Sequence, residues 1–357
     1  MQRPERIDRR ALGWVARRLF SARTGSDPGS NPPDSILIVR IDERVGNLIN
    51  LQSMIDAIKI TLPNVQLGLL ASSRAGQIAG SLEGVDHLHL LDKRWFFKRH
   101  LTWRRVVSKI RKIGYQVALD TSAWHEFSFT HAALTYYSGA PIRIGYQRGD
   151  QVAGGYHSVQ VIPGSNSEYE LAQRMRLLEP LGIKMKPPKL RSSIGEFEKQ
   201  KWEDWLSSHQ AKRPRIGIWP GSRKLERRWP VPFYIQLGKK LLQACGGSLV
   251  VLWGPGEEKL SEQFASAVSS DLIIAPKTAL TELAGLLRRL DLVVTNDTGP
   301  MHMSVAVGRP TVCLFASGDP LRWGHPYPYV RNLAFPGADP QEVEYTAQIC
   351  MELLARK

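Results

Sequence analysis

From residue 35 onward, short continuous apolar runs alternate with stretches of helical spacing. Ser35–Arg40 is the first such run. It reads as a strand of a parallel sheet, because only a strand covered by helices on both faces is apolar at consecutive positions. A loop through Gly46 leads into a helix expected to end near Pro63, and residues 65–70, 88–91, 117–120 and 142–144 are further strands. The alternation breaks at Lys184-Met185-Lys186-Pro187-Pro188-Lys189, and a charged helix is expected over residues 196–207. It restarts with strands at 215–219, 248–253, 272–274, 292–295 and 311–315. Two such blocks joined by a Pro-rich connection predict an α/β protein of two Rossmann-like lobes, with a ligand cleft facing the carboxyl ends of the strands. The expected divisions are a basic extension over 1–34, a first lobe over 35–185, a connection over 186–212, a second lobe over 213–340 and a C-terminal helix over 341–357.

Charge sharpens this picture. The net charge of +15 favours a polyanionic partner, and its distribution is uneven. Residues 92–112 hold nine Lys/Arg and one acid, including Lys93, Arg94, Lys98, Arg99, Arg104 and Arg105, interleaved with Trp95, Phe96, Phe97 and Trp103. One reading is a solvated helix and loop; the other is a surface that meets anionic groups while its aromatics sit at a membrane interface. Residues 3–23 carry seven arginines, with Leu12, Trp14, Val15, Leu19 and Phe20 on one helical stripe, before a Gly/Pro/Ser linker. They read either as a helix lying on an anionic bilayer or as a tail. No apolar run is long enough to span a membrane, and no signal-peptide stretch opens the chain, so a cytoplasmic location is expected. The three dispersed cysteines, Cys245, Cys313 and Cys350, argue against a disulfide framework or a zinc site. A nucleic-acid partner is not expected, since no recognised binding motif accompanies the charge.

Three motifs follow buried strands of the second block. Thr295-Asn296-Asp297-Thr298-Gly299-Pro300-Met301-His302 opens a helix, with three side chains suited to capping and a glycine that allows close backbone approach. Its free amides form an anion site for a diphosphate, although a well-capped helix alone would look the same. Trp219-Pro220-Gly221-Ser222-Arg223-Lys224-Leu225-Glu226-Arg227-Arg228-Trp229-Pro230 combines a tight turn with guanidinium forks that match phosphate oxygens, while Trp229 is equally suited to a core. Leu252-Trp253-Gly254-Pro255-Gly256-Glu257 ends in a carboxylate suited to ribose hydroxyls. Fingerprints for dinucleotides, phosphate loops, nucleophile elbows and HExxH metal sites are absent from the sequence.

In this order and spacing the three motifs resemble the ADP-heptose:lipopolysaccharide heptosyltransferases (glycosyltransferase family 9), and Arg40-Ile41-Asp42-Glu43-Arg44-Val45-Gly46-Asn47-Leu48 resembles that family's first strand-to-helix turn. The resemblance covers roughly residues 35–330. It implies a GT-B fold, with parallel sheets facing across a cleft, and an inverting glycosyltransferase that uses no metal or cofactor. By that resemblance the second lobe holds a nucleotide-sugar donor, typically ADP-heptose. Ser222 and Arg227 fall at the diphosphate, with Arg223 beside them on the donor side, Glu257 at the ribose, and Asp297, Thr298 and Gly299 at the phosphate and sugar end. His302 falls on the family histidine, or packs one turn into its helix. The implied acceptor is a phosphorylated, lipid-linked glycan such as the lipopolysaccharide core, met by a monomer peripheral on the inner face of the plasma membrane.

Two positions depart from the family pattern. Arg227 replaces a lysine, keeping the charge. Asn47 replaces the aspartate expected to deprotonate the acceptor, and an amide takes up no proton near neutrality. Three explanations stand: Asp42 or Glu43 serves as base, deprotonation comes late while Asn47 orients the hydroxyl, or the chain binds glycan or lipid without transfer.

Overall fold

The computed structural model describes residues 31–92, 100–148, 155–268, 271–335 and 339–356. The first lobe runs β1 (Ser35–Arg40), α1 (Val45–Ile49), α2 (Leu51–Thr61), β2 (Gln66–Ser72), α3 (Gly76–Gly80), β3 (His87–Leu91), α4 (His100–Ile113), β4 (Val117–Asp120), α5 (Phe129–Tyr137), β5 (Ile142–Tyr146), β6 (Val159–Val161) and α6 (Glu170–Arg176). After α7 (Lys199–Ser208), the second lobe runs β7 (Arg215–Trp219), α8 (Val231–Cys245), β8 (Ser248–Val251), α9 (Glu258–Ala267), β9 (Leu272–Ile274), α10 (Leu280–Leu287), β10 (Leu292–Asn296), α11 (Gly299–Ala306), β11 (Thr311–Phe315), α12 (Pro320–Trp323), β12 (Val330–Ala334) and α13 (Gln341–Ala355).

The strands form two six-stranded sheets, ordered β3-β2-β1-β4-β5-β6 and β12-β11-β10-β7-β8-β9. Every pairing is parallel. The two orders are the same pattern: the first strand of each lobe lies centrally, and the chain reverses its direction of winding beside it. That reversal opens a crevice at the carboxyl ends of β1/β4 and of β7/β10, which is where open α/β sheets place ligands. All six residues of β1 and all five of β7 and β10 are buried, as their apolar runs require. Two strands escaped the sequence reading, β6 and β12. Both are sheet edges, and an edge strand mixes polar with apolar positions, as Arg331 and Asn332 do in β12.

The largest apolar cluster does not stop at the lobe boundary. It joins Ile36, Met54 and Leu69 of the first lobe to Trp219, Leu252 and Leu286 of the second, through Ile194 and Trp202. The second lobe has a further cluster around Trp229, which is fully buried. The Trp229 ring stacks on Phe335 and its Nε1 donates to Glu342 at 2.7 Å, so this residue of the basic loop is a core anchor for the start of α8. Among the described residues, no helix is long and apolar enough to cross a membrane.

Candidate active site

On the first lobe, β1 ends in Arg40, a guanidinium only 2% exposed. A charge closes this apolar strand because it has partners there: Asp42 at 2.6 Å and the Thr121 carbonyl. Asp42 also accepts the Arg44 amide at 2.9 Å. Burial pushes the Asp42 carboxyl up, but Arg40, the Arg44 amide, His131 and Arg174 together hold it below its ordinary value.

Asn47 stands between opposite charges. Its Nδ2 donates to Asp42 at 3.2 Å. Its Oδ1 accepts from Arg174 of α6 at 3.3 Å, and its carbonyl accepts from the same guanidinium at 2.8 Å. The amide therefore answers an anion on one side and a cation on the other, whereas a carboxylate here would confront Asp42. Arg174 is itself buried beside Arg40; burial and that repulsion lower its pKa, and Glu170 at 3.4 Å opposes them. Glu43 turns elsewhere, to Arg74 at 3.3 Å.

Behind this group, Asp120 ends β4 and meets His157 at 3.0 Å. Burial raises the Asp120 pKa, but the His157 hydrogen bond and charge outweigh it and hold the carboxyl far below its usual range. His131 accepts the Ile41 amide on Nε2, so its proton lies on Nδ1 toward Ser128; burial brings its pKa down to about 4.

On the second lobe, Asn296 ends β10 and is wholly buried. Its Nδ2 donates to the carbonyls of Pro220 and Gly221 at 2.9 and 3.1 Å, and its Oδ1 accepts the Trp229 amide at 2.9 Å. One side chain thereby closes both ends of the basic loop over β10. The capping reading of this segment is corrected. Thr298 occupies the N-cap of α11 without a side-chain cap, while Asn296 and Asp297 turn to the loop. The first amides of α11 are thus left uncapped by side chains.

Arg227 reaches Asp297 at 2.7 Å. Burial raises the Asp297 pKa, and Arg227 and Lys224 pull it back. Ser222 is buried in the turn, held through its carbonyl by Arg228 at 2.8 Å, and Arg223 is exposed at the tip. Glu257 accepts the Gly254 amide at 3.0 Å and lies against Gly221, where any Cβ would overlap its carboxylate. Burial raises the Glu257 pKa.

The two half-sites meet. A Cβ on Gly299 would lie 3.4 Å from Val45, so the start of α11 faces the start of α1. His302 packs its ring edge on Gly46, and its Nδ1 is 2.8 Å from His325. Arg322 crosses between lobes to Glu170 at 3.4 Å and His125 at 3.0 Å, its guanidinium 5.2 Å from the Trp124 ring centroid and 4.6 Å from that of Trp323. Gly299 and His302 meet the Val45-Gly46 turn next to Asn47, while Ser222, Arg227, Glu257 and Asp297 are tied to one another and to the basic loop at the strand ends of the second lobe. Arg104 and Arg105 lie elsewhere, exposed on α4, while Lys93, Arg94, Lys98 and Arg99 lie outside the described residues. The sequence reading passed over Arg40, Asp120 and Arg174. A charge closing a buried strand marks the first two, and nothing local marks the third.

A family model for glycosyltransferase family 9 (heptosyltransferase) matches residues 103–347. Lipooligosaccharide heptosyltransferase 2 of Haemophilus influenzae is 31% identical over 156 residues, 42% of either chain. Lipopolysaccharide heptosyltransferase 2 of Escherichia coli is 28% identical over 233 residues, 60% of this chain and 65% of that one. The chain thus spans less than two thirds of the length of these two relatives. The solved structure of E. coli heptosyltransferase WaaC with ADP shares the fold, with a TM-score of 0.73 and 17% identity over 89% of this chain and 99% of that one. With the match extending over more than half its length, the chain belongs to glycosyltransferase family 9, and its two facing parallel sheets are the GT-B fold of that family.

Proposed function

We propose that the chain transfers a heptose from ADP-heptose, with inversion and without a metal, onto a lipopolysaccharide-core acceptor. The observation that carries the reading is the junction of a cationic, amide-rich turn on one lobe with a half-buried carboxylate, Asp42, on the other. Arg227, Arg223, Ser222 and the uncapped amides of Thr298 and Gly299 bind the diphosphate, and Glu257 the ribose. The relative solved with ADP supports an adenine nucleotide here. Asp297, charge-balanced by Arg227, accepts sugar hydroxyls. As the glycosidic bond breaks, Arg227 and the α11 amides stabilise the departing diphosphate.

The base is Asp42. It is ionised at neutral pH and touches Asn47, which orients the acceptor hydroxyl toward it, whereas Glu43 is turned to Arg74. A single displacement between lobes, with the base opposite the diphosphate, inverts the anomeric centre.

Turnover assayed with ADP-, GDP-, UDP- and dTDP-sugars tests the reading, and binding without transfer of any of them would leave a binding-only relative. Arg227→Ala should weaken donor binding by about 2 kcal/mol, the scale of a lost charge-assisted pair, and Arg227→Lys should recover part of it. Unchanged donor affinity would take Arg227 out of the site.

For location, we infer a peripheral position on an anionic membrane face. The exposed side of α4 carries Arg104, Arg105, Lys109, Arg111 and Lys112, and Arg104, Arg111 and Lys112 line, with Trp103 and Tyr137, a depression of about 450 Å³. Each well-placed cation should contribute about 1 kcal/mol toward anionic lipid, screened by salt. Co-sedimentation with phosphatidylglycerol vesicles should exceed that with phosphatidylcholine and fall at high salt. Equal binding to both would leave the charge merely solvated.

A further inference from the structure

One buried chain of polar atoms runs between the lobes and has no part in the roles above. Tyr169, just before α6 in the first lobe, has its hydroxyl 2.7 Å from Nδ1 of His325. His325, between α12 and β12, has Nε2 2.8 Å from Nδ1 of His302. His325 and His302 are 1% and 6% exposed. The far edge of the His302 ring, Cδ2 and Nε2, rests on Gly46, beside Asn47 and the start of α11.

A neutral imidazole has one N–H and one lone pair, so two imidazoles in series with a hydroxyl have a direction. Both rings are neutral: burial lowers the His302 pKa well below its ordinary value and brings that of His325 down to about 3. Burial and Tyr327 keep Tyr169 protonated.

Two arrangements satisfy every contact. In one, Tyr169 donates to His325, His325 donates from Nε2 to His302, and His302 is left with its proton on Nε2. In the other, His302 donates from Nδ1 to His325, His325 donates from Nδ1 to the Tyr169 oxygen, Tyr169 donates its hydrogen bond to Tyr327, and Nε2 of His302 carries a lone pair. An anion beside the ring is attracted by the first and repelled by the second. The Tyr327 oxygen accepts the Leu190 amide at 2.8 Å and keeps a proton it can donate to Tyr169, so the first arrangement is open, and an anion bound beside His302 selects it.

We propose that Tyr169 and His325 are positioning residues that fix His302 with its proton on Nε2, so that the contact between lobes completes an N–H donor for the diphosphate of the bound nucleotide. This rests on the donor reading of the second lobe. Through the chain, a hydroxyl of the acceptor-side lobe sets how tightly the other lobe holds its nucleotide.

The test uses ADP as probe and the full chain. Calorimetry should show ADP binding weakened about three- to tenfold in Tyr169→Phe, the scale of one net hydrogen bond, with the ring and its packing kept. His302→Gln should weaken it as well, and adding Tyr169→Phe to His302→Gln should cost nothing further, because the tyrosine acts only through the imidazole. Nitrogen-15 spectra of the histidines in the ADP-saturated protein should place the protons of His302 and His325 on Nε2. Unchanged affinity in Tyr169→Phe, additive losses in the double variant, or a His302 proton on Nδ1 with ADP bound would each overturn the proposal. Failure of the unsubstituted chain to bind ADP is distinguishable, since it appears before any substitution and removes the donor reading itself.

Discussion

Replacing Asp42 by asparagine is expected to lower turnover by about 10²-fold or more, the loss that follows removal of a general base. Glu43→Gln, by contrast, should leave the rate within a few-fold. The two residues are chain neighbours, but Asp42 is bonded to Arg40 and Asn47 at the lobe junction while Glu43 pairs with Arg74. Comparison of kcat for the two amide variants separates them: full activity in Asp42→Asn would remove Asp42 as base, and full activity in both would rule out a base relocated into this loop. The geometry also gives Asn47→Asp a definite outcome. It puts a second carboxyl about one hydrogen-bond length from Asp42, since Nδ2 now lies 3.2 Å away. Two carboxylates that close do not both ionise readily, so one of them takes up a proton at raised pKa. The acid limb of the pH–rate profile should therefore move upward in Asn47→Asp, and an unmoved limb would place the two carboxyls apart.

Gly46→Ala should cost at least as much as Asp42→Asn, although it adds one methyl and changes no charge. The new Cβ would overlap Cδ2 of His302 and stand 3.0 Å from Nε2. His302 has nowhere to retreat, because His325 is hydrogen-bonded behind it at 2.8 Å. Relief must come from α1 or from the lobes parting, and either moves Asn47 and Asp42 relative to the donor site. A displacement near 1 Å at reacting groups is worth about 10²-fold. kcat/KM measured beside the thermal midpoint checks the prediction. A large kinetic loss at little stability cost is expected, partly recovered when His302→Ala makes room. Retained turnover in Gly46→Ala would show that transfer does not use this approach of the lobes.

Much of this was legible in the sequence, for identifiable reasons. Ser35–Arg40, Arg215–Trp219 and Thr311–Phe315 are buried on both faces, so their apolar runs are unbroken and their positions plain. β6, only three residues long around Gln160, and β12, interrupted by Arg331 and Asn332, carry no such signal. In the site, Ser222, Arg227, Glu257 and Thr298 could be named because glycine and charge follow directly on buried strands. Arg174 could not, since it contacts Asn47 from 127 residues away, nor could the Tyr169–His325 bond, which spans 156. Asn47 shows the same limit from the other side. It looks like a lost function in sequence, and only the structure shows the opposite charges, Asp42 and Arg174, that its amide joins.

The apolar cluster that crosses from one lobe to the other bears on how such chains can change over time. Two sheets of matching strand order look like interchangeable parts, as if one lobe with a new nucleotide preference could be grafted onto another. Ile194 and Trp202 lie in a seam that includes Ile36 and Met54 on one side and Leu252 and Leu286 on the other. Cutting there exposes apolar surface on both pieces, and a foreign lobe would have to match that seam side chain by side chain. New specificities are therefore more accessible through the loops at the strand ends, which can vary without disturbing the seam.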